Sequence, residues 1–172
     1  MPKDEQSEEQ VNVLFVCTGN KFRSPSAEYL LRKYLSKNDE KNINVKSAGT
    51  ITNPGKVRLA MKKALATYNI DIRSHKQTKL SKELIDWSDV IIAMADYNQK
   101  FIADTFSTQS YLYNELTTSG FGSINDVEDA LSPSDRTKKN ISKHVTKIIQ
   151  YIHDSIPEIA KSLQEKTNNI KV

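Results

Sequence analysis

The feature that most constrains the fold is a short apolar run that leads directly into a polar loop and then into a helix-start signal. The run, Val11 to Val16, is rich in β-branched residues, which is typical of a buried strand in a parallel sheet. A loop from Thr18 to Arg23 follows, and Ser24 and Pro25 then offer a natural N-cap and a natural first helical residue. The segment therefore predicts a strand–loop–helix unit with Cys17 at the carboxyl end of the strand.

The rest of the chain continues this alternation of strands and helices. The apolar patterns predict further strands over residues 43–47, 89–94 and 111–116, helices over 24–37, 56–68, 80–87 and 96–106, a loop over 118–133, and a long last helix from about Asp135 that Pro157 could kink. This order predicts the α/β class, with a twisted parallel sheet of four strands, right-handed crossovers and helices on both faces, as in Rossmann-like folds. In such sheets ligands bind beyond the carboxyl ends of the strands, which is the edge where Cys17 lies.

Composition limits the classes of protein to which the chain can belong. With 172 residues, of which 37% are apolar and 27% charged, it is expected to form a soluble domain. Its apolar runs are too short to cross a bilayer and no secretory signal follows Met1, so we expect a cytoplasmic protein without a membrane partner. The single cysteine excludes an internal disulfide, and three scattered histidines argue against a zinc site, so no metal or cofactor is expected.

Charge is distributed unevenly along the chain. Residues 1–10 carry a net charge of −3 and show no apolar periodicity, which predicts a disordered acidic tail followed by a single domain over 11–172. The remaining 162 residues therefore carry +7, a charge that could attract an anionic ligand. No stretch combines dense Lys and Arg with interleaved aromatic residues, so nucleic acid is not an expected partner.

The segment from Cys17 to Ser24, CTGNKFRS, carries the chemistry. In a strand–loop–helix turn the loop N–H groups and the helix N-terminus converge on one point, which makes an anion site. Arg23 could hold two oxygens of a phosphate in its planar fork, and the same positive field would stabilise Cys17 as a thiolate. A thiolate beneath a bound phosphate is a nucleophile positioned for in-line attack. The plainer alternative is an ordinary buried cysteine at a strand end.

The stretch from Val13 to Glu28 resembles the signature of the low-molecular-weight protein tyrosine phosphatase family. The resemblance continues through residues 47–50, His75 and the strand at 89–94, and so covers nearly all of 11–155. It implies the phosphotyrosine phosphatase I-like fold, a phosphocysteine intermediate on Cys17, and phosphate binding by Arg23. It also implies a phosphate-binding loop of Thr18, Gly19, Asn20, Lys21, Phe22 and Ser24, in which Ser24 hydrogen-bonds the thiolate while Asn20, Ser47 and His75 hold the loop in shape.

A phosphatase also needs a general acid that protonates the leaving oxygen. The family keeps an Asp followed by a Pro in a late loop, and here the corresponding loop reads NDVEDA over residues 125–130. Asp129 aligns best with that acid, with Ala130 where the proline usually stands. Asp126 is the alternative, and Glu128 is a third possibility with a longer side chain.

The sequence departs from the family pattern at the mouth of the expected pocket. Phe22 stands where many members have a second loop cysteine, so a protective disulfide with Cys17 is impossible, and Lys21 replaces an aliphatic residue. The aromatic residues that normally sandwich the phosphotyrosine ring correspond to Asn53, Leu131 and Ser132, while Phe22 and Tyr97 could supply a wall from another direction. The identity of the substrate therefore stays open.

These observations predict a metal-free phosphomonoester hydrolase, a cysteine-dependent protein tyrosine phosphatase in which Cys17, Arg23 and Asp129 are catalytic. The expected partners are a phosphorylated protein or a small phosphomonoester as substrate, and inorganic phosphate as product. Two alternatives remain at this point: an arsenate reductase that uses an external thiol, and a pseudophosphatase that binds phosphate without turnover.

Overall fold

The sheet has four strands and all of its pairings are parallel. In the computed structural model, which describes residues 9–51 and 57–170 (side chains to residue 166), the strands are β1 (Val11–Cys17), β2 (Ile43–Gly49), β3 (Val90–Ala93) and β4 (Tyr111–Leu112). Their order is β2-β1-β3-β4, with Val16 of β1 paired to Ala48 on one side and to Ala93 on the other. The predicted α/β fold with a four-stranded parallel sheet is confirmed.

In the part of the chain that the structure describes, six α-helices pack around the sheet. They are α1 (Arg23–Lys37), α2 (Leu59–Ala66), α3 (Lys82–Trp87), α4 (Asp96–Phe106), α5 (Val127–Ala130) and α6 (Lys138–Ile170), with 3₁₀ turns at Tyr113–Leu116 and Pro133–Asp135. Pro157 lies inside α6, which is assigned as one continuous helix. Within the described residues no helix is long and apolar enough to cross a membrane.

The apolar sequence of strand β1 is explained by burial on both faces of the sheet. Val13 and Phe15 pack into a core shared with α1, α2 and α6, whereas Leu14 and Val16 pack into a second core with α3 and α4. Both faces of the strand are therefore buried, as the period of two along a strand requires when helices cover both sides of the sheet.

Two sequence-based expectations about element ends are wrong. The fourth strand stops at Leu112 because Tyr113 turns into the core, where its hydroxyl bonds Ser155 Oγ of α6 at 2.9 Å. Helix α1 begins at Arg23, after Phe22 at the cap position, and Ser24 is not the N-cap. The hydroxyl of Ser24 instead contacts Cys17 Sγ at 3.0 Å, so the site uses the group that would have capped the helix.

Other differences are smaller. Helix α6 begins at Lys138 rather than near Asp135, because Pro133–Asp135 form a 3₁₀ turn, and the predicted loop over 118–133 contains α5. Helix α2 begins only at Leu59. Residues 1–8, which make up most of the predicted acidic tail, lie outside the described residues, so the domain boundary at residue 10 stays a prediction.

Candidate active site

Cys17 is the last residue of β1 and lies at the carboxyl edge of the sheet. It is buried, and its Sγ accepts a hydrogen bond from the backbone N–H of Asn20 at 3.3 Å. Ser24 Oγ lies 3.0 Å from the same sulfur. A thiolate can only accept at this contact, so Ser24 would then be the donor.

Asn20 sets the shape of the loop. Its φ of 51° is in the left-handed region, which Asn tolerates better than most residues. Its side-chain Nδ2 donates to Ser24 Oγ at 3.0 Å and to Ser47 Oγ at 2.8 Å, and its backbone carbonyl lies 2.9 Å from His75 Nε2. The structure thus brings together the four residues that the resemblance linked to loop shape and to the thiolate.

A chain of contacts that sequence reasoning missed lies behind Ser47. Ser47 Oγ donates to Glu28 Oε2 at 2.5 Å, and Glu28 pairs with Arg32 at 2.7 Å. Burial raises the pKa of Glu28, and its hydrogen bond from Ser47 and the charge of Arg32 only partly oppose that shift. Glu28 therefore connects α1 to β2 beneath the loop.

Gly49, at the end of β2, allows the loop to lie directly against the sheet. A Cβ at this position would stand 2.7 Å from the carbonyl oxygen of Thr18 and 2.9 Å from the backbone nitrogen of Asn20, closer than real Cβ contacts. The following N–H, that of Thr50, donates to the carbonyl of Cys17 at 3.0 Å. Only glycine fits this close approach of two backbones.

Arg23 is the largest fully buried polar side chain of the site. Its Nη1 donates to Tyr97 Oη at 2.8 Å and to the carbonyl of Ile124 at 3.0 Å, and its Nη2 donates to Asp126 Oδ2 at 2.9 Å. Burial alone would lower the pKa of Arg23, but Cys17, Asp126 and Tyr97 together outweigh burial and raise it. Its Nε is buried and has no hydrogen-bond partner within the described part of the chain.

The two candidate acids have different surroundings. Asp126 caps α5 and gives one oxygen to Arg23 and the other to the N–H of Val127. Asp129 is exposed, and its Oδ2 accepts from Tyr97 Oη at 2.7 Å and from the Asp126 N–H at 2.9 Å. Oδ1 of Asp129 has no hydrogen-bond partner among the described residues, which leaves one carboxyl oxygen available to a ligand.

These groups line one cavity of about 610 Å³. The loop contributes Cys17, Thr18, Gly19, Lys21, Phe22 and Arg23, and the other side is formed by Arg58, Tyr97, Asp126, Glu128 and Asp129. Arg58 pairs with Glu128 across the mouth at 2.7 Å. The side chains of Asn20 and Ser24 are buried within the loop and do not line the cavity, whereas Ser47 and His75 support the loop from β2 and from the segment before α3. The described residues contain no group of three or more acidic, His or Cys side chains that could hold a metal ion.

Residues 12–169 match the family model described as low molecular weight phosphotyrosine protein phosphatase. The chain belongs to this family. A protein-arginine-phosphatase of Bacillus subtilis (strain 168) is 32% identical over 120 residues, covering 67% of this chain and 79% of its own. The low molecular weight protein-tyrosine-phosphatase Ptp of Acinetobacter johnsonii is 36% identical over 100 residues, covering 55% and 64%.

Solved structures agree with this assignment. The YwlE arginine phosphatase, in a mutant with a phosphorylated active-site serine, aligns with a TM-score of 0.75 and 26% identity over 90% of this chain and 96% of that chain. A YwlE mutant from Bacillus subtilis gives a TM-score of 0.73 at 28% identity, covering 90% and 99%. The predictions of family, fold and cysteine-dependent phosphatase activity are confirmed.

The mouth of the cavity presents few aromatic side chains among the described residues. Leu131 packs against the core and Ser132 bonds Ser134 and Asp135, so neither lines the cavity, and Asn53 lies outside the described residues. Phe22 lines the cavity but is 97% buried, with an edge contact to His144. Tyr97, which is 41% exposed, is the aromatic residue that a ligand could reach in the described part of the mouth.

Sequence reasoning missed Arg58 and Gly49, and it named Tyr97 only as a possible wall. Arg58 and Tyr97 come to the site from segments far from the loop in sequence, and neither lies in a local motif. Gly49 follows the predicted strand over residues 43–47, and a glycine at such a place is a signal for the close approach of another backbone.

Proposed function

We propose that this enzyme hydrolyses phosphomonoesters through a phosphocysteine on Cys17, with Arg23 and the loop N–H groups binding the phosphoryl group and Asp129 as the general acid. The observation that carries the proposal is the buried guanidinium of Arg23, whose Nε lacks a partner beside the cavity that Cys17 and Arg23 both line. A buried charged N–H without a partner is costly, and a phosphate oxygen would satisfy it.

The chemical steps follow from these positions. The sulfur attacks phosphorus and the ester oxygen leaves as it takes a proton from Asp129. The carboxylate of Asp129 then removes a proton from water, which attacks the phosphocysteine and releases inorganic phosphate and the thiolate. Arg23 and the loop N–H groups stabilise the charge on the transferring oxygens in both steps.

Asp129 suits the role of acid better than Asp126. One oxygen of Asp126 is bound to Arg23 and the other to the N–H of Val127, so neither is left for a leaving oxygen. Asp129 keeps Oδ1 free of hydrogen bonds to the described residues. Glu128 is paired with Arg58, which occupies it in a similar way.

For the substrate we propose a phosphorylated protein or small phosphomonoester rather than phosphoarginine. Phosphoarginine keeps a cationic guanidino group next to its phosphate, and Lys21 adds a cation at the mouth that is not ion-paired within the described residues. Like charges brought together at a binding site cost affinity. A reduced thiolate nucleophile also fits a reducing compartment, so we propose a cytoplasmic location.

The test is turnover of p-nitrophenyl phosphate and of arsenate, with inorganic phosphate binding measured in parallel. We expect ester turnover that needs no thiol, no thiol-dependent arsenate reduction, and a phosphoryl adduct on Cys17 after acid quench and mass spectrometry. Arsenate reduction would favour the reductase alternative, and phosphate binding without turnover the pseudophosphatase.

Cys17→Ser should lower steady-state turnover to below about one per cent while phosphate binding persists, because a serine hydroxyl is a weak nucleophile at neutral pH. A YwlE mutant carries a phosphorylated active-site serine, and by the same chemistry we expect this variant to retain phosphate as a serine ester after one slow phosphoryl transfer. Ser36→Ala is the control, because Ser36 lies on α1, the helix that follows the loop, but outside the cavity. Retention of more than a few per cent of the rate in Cys17→Ser would overturn the covalent mechanism.

A further inference from the structure

The hydroxyl of Tyr97 joins the phosphate-binding residue to the acid. It accepts a hydrogen bond from Arg23 Nη1 at 2.8 Å and donates one to Asp129 Oδ2 at 2.7 Å. The guanidinium carbon of Arg23 also lies 5.6 Å from the centre of the Tyr97 ring. Tyr97 itself is fixed near the start of α4, where its N–H bonds the Asp96 carboxylate at 2.8 Å.

The contacts close into a ring. Asp129 Oδ2 also accepts the N–H of Asp126, and the carboxylate of Asp126 returns to Arg23 Nη2. Arg23 has further fixed partners, including the carbonyl of Ile124, whereas Asp129 lies exposed on a helix of one turn. The acid is thus the weakly held member of the ring, and it has the most to gain from the Tyr97 hydroxyl.

Tyr97 can donate to Asp129 over the whole working range of pH. Burial, with the hydrogen bond to Asp129 as the next contribution, raises the pKa of Tyr97 to about 12. The hydroxyl keeps its proton in neutral solution, and that proton is directed at Oδ2 because Arg23 Nη1 occupies the acceptor side of the oxygen.

We propose that Tyr97 is a positioning residue that fixes the carboxyl of Asp129 relative to the phosphoryl group held by Arg23, with Oδ1 facing the leaving oxygen. This rests on the function proposed above. With Oδ2 held by two donors, the proton of the acid is confined to Oδ1, the oxygen that has no other partner among the described residues.

The test compares Tyr97→Phe with the wild type on two esters. Phenyl phosphate has a poor leaving group that needs protonation, whereas p-nitrophenyl phosphate needs little. We expect kcat/KM to fall about tenfold on phenyl phosphate, the order expected for one hydrogen bond to a charged group, and less than about threefold on p-nitrophenyl phosphate. Tyr111→Phe, which alters a tyrosine of similar exposure on the edge strand outside the cavity, should match the wild type on both.

The pH profile gives a second readout. Because Tyr97→Phe removes a donor to the carboxyl of Asp129, the alkaline limb of kcat/KM on phenyl phosphate should move. The charged or titratable groups around Asp129 are Cys17, Lys21, Arg23, Arg58, Asp126 and Glu128, with Arg136 and His144 behind the loop. All of them are unchanged in Tyr97→Phe, so the shift would come from the hydroxyl.

A variant in the Asp129→Asn background separates the two routes by which Tyr97 could act. If Tyr97 acts through Asp129, Tyr97→Phe should cost nothing further there. Equal losses on both esters, or a further loss in that background, would mean that the hydroxyl serves Arg23 and would overturn the proposal. An unchanged inhibition constant for phosphate confirms an intact site, and an altered one would likewise assign the hydroxyl to Arg23. A wild type without turnover would refute the proposed function instead, whereas an active wild type matched by Tyr97→Phe would refute only this inference.

Discussion

At the scale of single residues, the planar fork of Arg23 is the group that a conservative substitution should not replace. Lysine keeps the charge but offers a single nitrogen, so it cannot serve Tyr97, Ile124 and Asp126 and also hold two phosphate oxygens. We expect Arg23→Lys to lower kcat/KM on p-nitrophenyl phosphate by at least about a hundredfold, the usual cost of removing one preorganised donor.

The matched control is Arg73→Lys, which alters an exposed arginine paired with Asp71 away from the cavity. It should leave the steady-state rate unchanged. Activity of Arg23→Lys close to that of the wild type would show that the phosphoryl group is held elsewhere.

Substitutions of Asp129 and Asp126 should differ in how strongly their effect on kcat/KM depends on the leaving group of the ester. Asp129→Asn removes the proposed acid, so phenyl phosphate should slow far more than p-nitrophenyl phosphate, and the alkaline limb of its pH profile should flatten. Asp126→Asn should change both esters by similar factors, because it acts on Arg23. The reverse pattern would mean that the acid lies three residues earlier in the loop.

At this scale the sequence was informative where chemistry is local. Cys17 and Arg23 lie within seven residues, between a strand and a helix, so their convergence followed from spacing, whereas the contact of Ser24 with Cys17 was implied only by the family resemblance. Tyr97 and Arg58 reach the cavity only through the packing of α4 and of the segment before α2, and no local pattern marks such long-range contacts. Glu28 resembled an ordinary helix residue, because burial of a charge cannot be inferred from one sequence.

At the scale of elements, the contact between β2 and the loop should be intolerant of a single methyl group. In Gly49→Ala the new Cβ meets two backbone atoms, at 2.7 and 2.9 Å, which cannot rotate away as a flexible side chain would. We expect a loss of about 1–3 kcal/mol in the free energy of unfolding and a fall of about tenfold or more in kcat/KM as the loop shifts.

Gly120→Ala is the comparison for this substitution. Its φ is 71° and a Cβ there meets nothing within 4 Å, so backbone strain is its only expected cost. It should lower the free energy of unfolding by about 1–2 kcal/mol and leave activity unchanged. Full activity in Gly49→Ala would contradict the close approach of loop and strand.

The buried carboxyl that links α1 to β2 should make stability depend on pH. Burial raises the pKa of Glu28 above its ordinary value of 4.5, so the folded state binds this proton more tightly than the unfolded state. The resulting stabilisation is complete below pH 4.5 and is lost as pH rises through the higher folded pKa. Relative to Glu28→Gln, which does not titrate, the wild type should therefore lose free energy of unfolding as pH rises from 4.5.

Urea denaturation at a series of pH values measures this difference. Glu165→Gln, at an exposed position on α6, should leave the pH dependence unchanged. A wild type that gains stability over the same range relative to Glu28→Gln would mean that the charge of Arg32 outweighs the burial of Glu28.

The helices and strands were predictable wherever no tertiary contact competed with the apolar pattern of the sequence. β1, β3 and the middle of α1 and α4 agree with their patterns to within a few residues. The ends failed where a side chain had another partner, since Ser24 serves Cys17 rather than the helix, and Tyr113 leaves the sheet to reach Ser155 on α6. A cap preference is worth about 1 kcal/mol, which such tertiary contacts readily outweigh.

At the scale of the whole molecule, a body charge of +7 and a cationic mouth should select acidic substrates. Lys21 lines the cavity, and Arg58 is largely neutralised by Glu128, so Lys21 supplies the uncompensated charge nearest to a bound phosphopeptide among the described residues. Screening acts over about 10 Å at 0.1 M salt, so this preference should be strong only at low ionic strength.

The measurement is kcat/KM on two phosphotyrosine peptides, one with acidic flanking residues and one with neutral ones, over a range of salt. We expect the wild type to prefer the acidic peptide by a few-fold at low salt, and Lys21→Met to lose most of that preference, because exposed charge pairs contribute about 0.2–1 kcal/mol. Lys100→Met removes the same charge from an exposed site on α4 paired with Asp104, and it should keep the preference. A preference that survives both high salt and Lys21→Met would mean that shape or hydrogen bonding, rather than charge, selects the flanking residues.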